Sequence, residues 1–162
     1  MSKVIIYTDG GSRGNPGHAA IGVIADLHGL THAVGGAGAD QRGKKSGAGN
    51  IKEYSQYIGI TTNNEAEYQA VIFGLKKIKH LIGKEKAKKT GVEVLMDSEL
   101  VANQLNGEYK IKEKTLVPFF IEIWNLKQDF KKVEFIFIPR EQNKRADAMV
   151  NKELDSQSSK LF

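Results

Sequence analysis

Cysteine is absent from this chain of 162 residues, which excludes a disulfide framework, a thiolate zinc site and a cysteine nucleophile. Any metal the chain uses must then be a hard ion held by oxygen. No apolar stretch is long enough to cross a membrane or to act as a signal segment, because Met1-Ser2-Lys3 leads directly into a short apolar run. A soluble, cytoplasmic protein is the expectation. Internal repeats are also lacking, and the length suits one domain, 1–162, whose 40% hydrophobic content is enough for a core. Positive charge is in excess, at net +5, and Lys76, Lys77, Lys79, Lys84, Lys86, Lys88 and Lys89 crowd one region. That balance suits a polyanionic partner, although a lysine run is more often a solvated face.

Four carboxylates carry the chemistry. Val4-Ile5-Ile6-Tyr7-Thr8-Asp9 and Val92-Glu93-Val94-Leu95-Met96-Asp97 both read as short strands that stop at an aspartate. As parallel neighbours they would present both acids on one edge of a sheet, where open α/β folds bind ligands. Glu67 heads a helical stripe that continues through Ala70, Val71, Gly74, Leu75 and Ile78, and Asp147 shares a helical face with Val150 and Leu154. An anion aimed at a core is costly unless it is paired. Few cations are close in sequence, so a bound divalent metal is the expected partner.

Along the chain, the patterning predicts a strand over 3–9, a glycine-rich turn through Gly17, a strand over 19–25 and a third strand ending near Ile60. Residues 29–49 hold seven of the seventeen glycines together with Arg42, Lys44 and Lys45, and read as a basic loop insertion. A helix over 63–82 follows, then the strand ending at Asp97 and a helix over 98–106 that Asn106-Gly107 would stop. A helix over 114–130 is expected to bury Trp124, and the apolar run 133–138 reads as a strand covered on both faces. The final helix spans 142–154, and the tail 155–162 is expected to fray. The fold class is α/β: a five-stranded mixed sheet, three antiparallel strands then two parallel ones, with helices on both faces.

Four blocks now stand out: Thr8-Asp9-Gly10-Gly11-Ser12-Arg13-Gly14-Asn15-Pro16-Gly17, Thr61-Thr62-Asn63-Asn64-Glu65-Ala66-Glu67, Met96-Asp97-Ser98-Glu99 and Asn143-Lys144-Arg145-Ala146-Asp147. In content and order they resemble the signature blocks of type 1 ribonuclease H, and they cover essentially the whole chain. The resemblance implies the ribonuclease H-like fold and an endonuclease that hydrolyses the RNA strand of RNA–DNA hybrids, leaving 5′-phosphate and 3′-hydroxyl ends. It implies Mg2+, with Mn2+ as a substitute, held as a pair by Asp9, Glu67, Asp97 and Asp147 when substrate is bound. One ion would activate water while the other stabilises the leaving oxygen.

The resemblance also implies substrate contacts from Asn15, Asn63 and Asn64 in the minor groove, from the backbone at Gly10, Gly11 and Ser12, from Thr62 at a DNA phosphate, and from Glu99. Glu67 is placed to read the 2′-hydroxyl that distinguishes RNA. Taken singly, each block has a plainer alternative: Asn63 could cap a helix, and Asp9-Gly10-Gly11 could be an ordinary turn. Two departures from the family pattern matter. Phe137 stands ten residues before Asp147, where many members carry histidine, while Arg140 stands seven before it, as in an arginine-bearing subgroup. Arg140 is expected to aid product release. The loop 107–113 is too short for the basic protrusion of some members, and no separate hybrid-binding domain is expected, so affinity would rest on 29–49 and the lysine-rich region. A monomer is expected. The alternatives are a same-fold nuclease acting on double-stranded RNA or RNA–DNA junctions, and a weakly active hybrid-binding module.

Overall fold

A computed structural model describes residues 2–30 and 50–161. In chain order these form β1 (Ser2–Gly14), β2 (Gly17–Asp26), β3 (Ile51–Thr61), α1 (Asn63–Ile82), the short α2 (Lys84–Ala87), β4 (Thr90–Met96), α3 (Glu99–Leu105), α4 (Val117–Lys127), β5 (Lys132–Phe137) and α5 (Lys144–Leu161). One sheet has the order β3-β2-β1-β4-β5. The β1–β2 and β2–β3 pairs are antiparallel, and β1–β4 and β4–β5 are parallel, which is the mixed sheet that the patterning predicts.

The two faces of the sheet are covered by different helices. Gly74 of α1 lies against Ile6, Thr8 and Val23, whereas Gly22, beside Val23 in β2, lies against Ala146, Met149 and Val150 of α5. Because neighbouring residues of a strand point to opposite faces, α1 and α5 sandwich the sheet. The β2 residues Ala19 to Ala25 are all buried, as a central strand covered on both sides must be. Ile6, Val23, Val71, Leu75, Val94 and Met96 belong to the main core beneath α1. No helix among the described residues is long and apolar enough to cross a membrane.

Five local expectations are corrected. β1 does not end at Asp9 in a glycine-rich turn: it continues to Gly14 because Gly10, Gly11 and Ser12 pair with Ile21, Ala20 and Ala19 of β2. The turn is confined to Asn15 and a cis-bonded Pro16. β5 is an edge strand whose two faces are unequally covered. Val133 and Phe135 are buried while Glu134 and Ile136, on the other face, are half-buried, and Phe137 at the strand's end is 47% exposed. Trp124 is 53% exposed, since α4 turns Ile123 and Leu126 inward and leaves Trp124 on the outer side, where the Lys127 ammonium lies 5.4 Å from its ring centroid. The helix expected over 114–130 begins instead with a 3-10 turn, Lys114–Leu116. The helix expected to stop at Leu154 continues to Leu161, with Arg13 and Asp155 ion-paired at 2.6 Å. Of the loop expected at 29–49, residues 31–49 lie outside the described residues.

At Gly10 the backbone of α1 lies directly against β1. A Cβ built there would sit 2.3 Å from the carbonyl carbon and oxygen of Ala66, both backbone atoms that cannot yield. Gly10→Ala is therefore expected to destabilise the protein by about 3 kcal/mol or more, read as a lower urea midpoint at unchanged slope. A variant as stable as wild type would contradict this packing.

Candidate active site

The site exists because β1 outruns β4. Parallel pairing stops at Thr8 opposite Met96, while on the other edge β1 stays paired with β2 up to Gly14 opposite Gly17. From Asp9 onward one edge of β1 therefore has no strand beside it. Asp97 follows the last residue of β4 at that opening, and α1 brings Glu67 there over the bare backbone of Gly10. One carboxylate oxygen from each of Asp9, Glu67 and Asp97 falls in a cluster whose members all lie within 4.8 Å of one another. Asp147, in the first turn of α5, lines the same cleft of about 440 Å3 and stands within hydrogen-bonding reach of Asp9.

The electrostatics are those of crowded anions out of water. Asp9 is 7% exposed and Glu67 8%. Burial, reinforced by the charges of Asp97 and Asp147, raises Asp9 from 3.8 to about 7, against a partly compensating hydrogen bond with Glu67. Burial and then the neighbouring Asp9 hold the Glu67 carboxyl well above the usual range, against a hydrogen bond from the Gly10 N–H. One Glu67 oxygen, Oε2, is buried without a hydrogen-bond partner. A divalent cation would satisfy it and neutralise the cluster, and an oxygen-only donor set suits a hard ion. The residues present therefore fit a metal centre.

The remaining predicted residues divide into lining and support. Gly10, Gly11, Ser12, Asn63, Asn64 and Arg140 line the cleft, with Arg140 exposed in a short 3-10 turn, Arg140–Gln142. Asn15 is outside the lining, and its Oδ1 accepts the Asn63 N–H at 3.0 Å. Asn63 Oδ1 in turn accepts from the Ser12 N–H at 2.9 Å and the Ser12 hydroxyl at 3.1 Å. This chain of bonds ties the β1–β2 hairpin to the start of α1. Thr62, not Asn63, caps that helix: its hydroxyl accepts the Glu65 N–H at 3.2 Å, and the Glu65 carboxylate accepts the Thr62 N–H at 3.3 Å. Asn64 Nδ2 donates to Glu113 at 3.0 Å. Glu99 is exposed in the first turn of α3, outside the cleft lining.

Sequence reasoning passed over Asn143 as a site residue. It is 1% exposed, and its Nδ2 donates to the Thr8 carbonyl at 2.9 Å and to Asp97 Oδ2 at 3.2 Å. Its signal in the chain was its place at the head of the block Asn143-Lys144-Arg145-Ala146-Asp147, where the aspartate alone was given a role.

A mixed α/β sheet with carboxylates converging where its central strand runs free of one neighbour defines the ribonuclease H-like class. A family model described as reverse transcriptase-like matches residues 8–153. The N-terminal ribonuclease H domain of Rv2228c from Mycobacterium tuberculosis superposes with a TM-score of 0.78 at 31% identity, over 100% of both chains. LC11-RNase H1, solved in complex with an RNA/DNA hybrid, superposes with a TM-score of 0.75 at 42% identity, over 95% of this chain and 98% of that one. Ribonuclease HI of Halobacterium salinarum is 34% identical over 156 residues, 94% of this chain and 65% of the relative. The chain belongs to the type 1 ribonuclease H family. It spans 36% of the length of the bifunctional protein Rv2228c, to which it is 34% identical over 154 residues.

Proposed function

We propose that this protein is an endonuclease that hydrolyses the RNA strand of RNA–DNA hybrids, with Asp9, Glu67, Asp97 and Asp147 holding divalent ions, Mg2+ in the first place and Mn2+ as a substitute. The observation that carries the reading is the convergence of Asp9, Glu67 and Asp97 oxygens within 4.8 Å, with Glu67 Oε2 buried and unpartnered. Pure binding of a polyanion has no use for anions facing phosphate, so the cluster favours catalysis over a hybrid-binding module. Similarity to LC11-RNase H1, solved with an RNA/DNA hybrid, supports the substrate class.

When bound, such ions lower the pKa of an attacking water and stabilise the leaving oxygen. The chain's own residues do the rest. The side-chain-free backbone of Gly10 and Gly11 lets a sugar-phosphate strand approach the acids, and the Asn15–Asn63–Ser12 bonds hold that edge rigid. Asn63 and Asn64 offer amide groups to the minor groove, and Glu67 is aimed to read a 2′-hydroxyl. Arg140 at the rim supplies positive charge to a phosphate and aids its departure, with the protein acting as a monomer.

Cleavage should be confined to hybrid when matched hybrid, double-stranded RNA and double-stranded DNA are compared with Mg2+ or Mn2+. Hybrid digestion that continues undiminished in excess chelator would overturn the reading, and equal cleavage of double-stranded RNA would broaden the substrate. Arg140→Ala is expected to lower kcat about tenfold, the loss of one charge-assisted hydrogen bond, with hybrid affinity little changed. Steady-state kinetics set beside a binding isotherm separate the two, and unaltered turnover would discard the role.

A further inference from the structure

We propose that Asn143 is a positioning residue that sets Asp97 in its ion-binding orientation and locks it in register with Asp9. Four hydrogen bonds meet at this residue: in one its N–H donates to the Arg140 carbonyl at 3.0 Å, and the other three reach the segments that carry the acids. Its Nδ2 donates both to the carbonyl of Thr8, the residue before Asp9, and to Asp97 Oδ2, at 2.9 and 3.2 Å. Its own carbonyl accepts the Asp147 N–H at 3.1 Å. One residue thus joins β1 at Asp9, the end of β4 at Asp97 and the first turn of α5 at Asp147.

The orientation of the carboxamide follows from its partners. Both are oxygen acceptors, so the amide must present its NH2 group to them; turned over, Oδ1 would face a carbonyl and a carboxylate. The result leaves Oδ1 buried without a partner, in a residue that is 1% exposed. An apolar side chain would fill this place without burying an unsatisfied acceptor. What only the amide supplies is a neutral donor that holds a carboxylate in place without neutralising it. Asp97 stays available to a cation and loses its freedom to rotate away from Asp9. Outer groups that orient ligands in this way commonly govern metal affinity.

This inference rests on the cleft being a divalent-ion site, and its test separates the two. Mn2+ binding to the free protein is measured by the loss of the free-ion paramagnetic resonance signal, for wild type, Asn143→Asp and Asn143→Ser. Asn143→Asp keeps the shape but turns the donor into an anion facing Asp97. It is expected to weaken Mn2+ binding about tenfold or more, and Asn143→Ser to weaken it less. In an Asp97→Asn background Asn143→Asp should weaken Mn2+ binding no further, since the carboxylate it orients is gone. Melting curves identify a variant that does not fold; if Asn143→Asp fails, Asn143→Ser decides. Variants that melt lower yet bind Mn2+ as wild type does would make Asn143 a packing residue and overturn the inference alone. Wild-type protein that binds no Mn2+ would remove the metal-site reading, and this inference with it.

Discussion

Asp97→Asn is expected to lower hybrid cleavage on the order of 10^3-fold or more, a loss of about 4 kcal/mol of transition-state stabilisation, while the protein stays folded. The substitution changes one oxygen to an NH2 group and removes one negative charge from a cluster whose oxygens lie within 4.8 Å of one another. Its structural cost is small, because the remaining Oδ1 can still accept from Asn143 and the side chain is only half-buried. Its chemical cost is large, because a weaker neutral ligand replaces an anionic one where charge develops in the transition state. Without an ion, the same change relieves Asp9 of its largest repulsive neighbour, so the metal-free variant should melt no lower than wild type. Single-turnover cleavage and melting curves measured on the same preparations check both halves. Activity within tenfold of wild type would show that Asp97 is not part of the machinery. Unfolded protein would show that the acid serves the fold instead.

The second large effect is a metal-dependent reversal of the pH profile of stability. Asp9 is held at about 7 in the folded protein, against 3.8 ordinarily, and Glu67 is also held high. Folding therefore takes up protons between these limits, so the native state binds more of them than the unfolded chain does. Stability from this source is complete below the ordinary carboxylate range and is lost as pH rises through the folded value. In chelator, the protein should be more stable at pH 5 than at pH 8 by an amount on the order of 2–4 kcal/mol, shared between Asp9 and Glu67 as one titrating pair. Glu65 works in the opposite sense, because the Thr61 hydroxyl and the Thr62 N–H hold it below 4.5, so its contribution is lost only at lower pH, outside this window.

Divalent ion should remove the loss. At pH 8 fewer protons contest the oxygens and ion binding stabilises the native state, whereas at pH 5 protons compete with the ion for the same oxygens. Urea unfolding at both pH values, with and without Mg2+ or Mn2+, gives the four numbers needed. Asp9→Asn should flatten the metal-free profile. A metal-free protein that gains stability from pH 5 to pH 8 would mean that the acids are solvated and apart.

Local periodicity and caps reach far into this fold. The apolar stripe from Glu67 to Ile78 marks α1, and the expected helix over 63–82 coincides with Asn63–Ile82, because that periodicity is written in neighbouring residues. The four acids were legible for the same reason: each sits in a short motif whose residue types suit the chemistry. Where the outcome depends on a distant partner, the chain alone misleads. Gly10 and Gly11 have the composition of a turn, yet pairing with Ile21 and Ala20 draws them into β1. Trp124 has the character of a core residue, yet the inner side of α4 is taken by Ile123 and Leu126.

What the amino-acid sequence determined by itself was the class of elements, their order and the acids they carry. Tertiary structure alone decided that β1 runs past the end of β4, and so that Asp9 faces an open edge where Glu67 and Asp97 can meet it. It also decided that Asn143, 46 residues from Asp97 in the chain, holds that carboxylate in place. Strand lengths and side-chain bonds of this kind follow from pairings between remote segments, and no local pattern encodes where those pairings end.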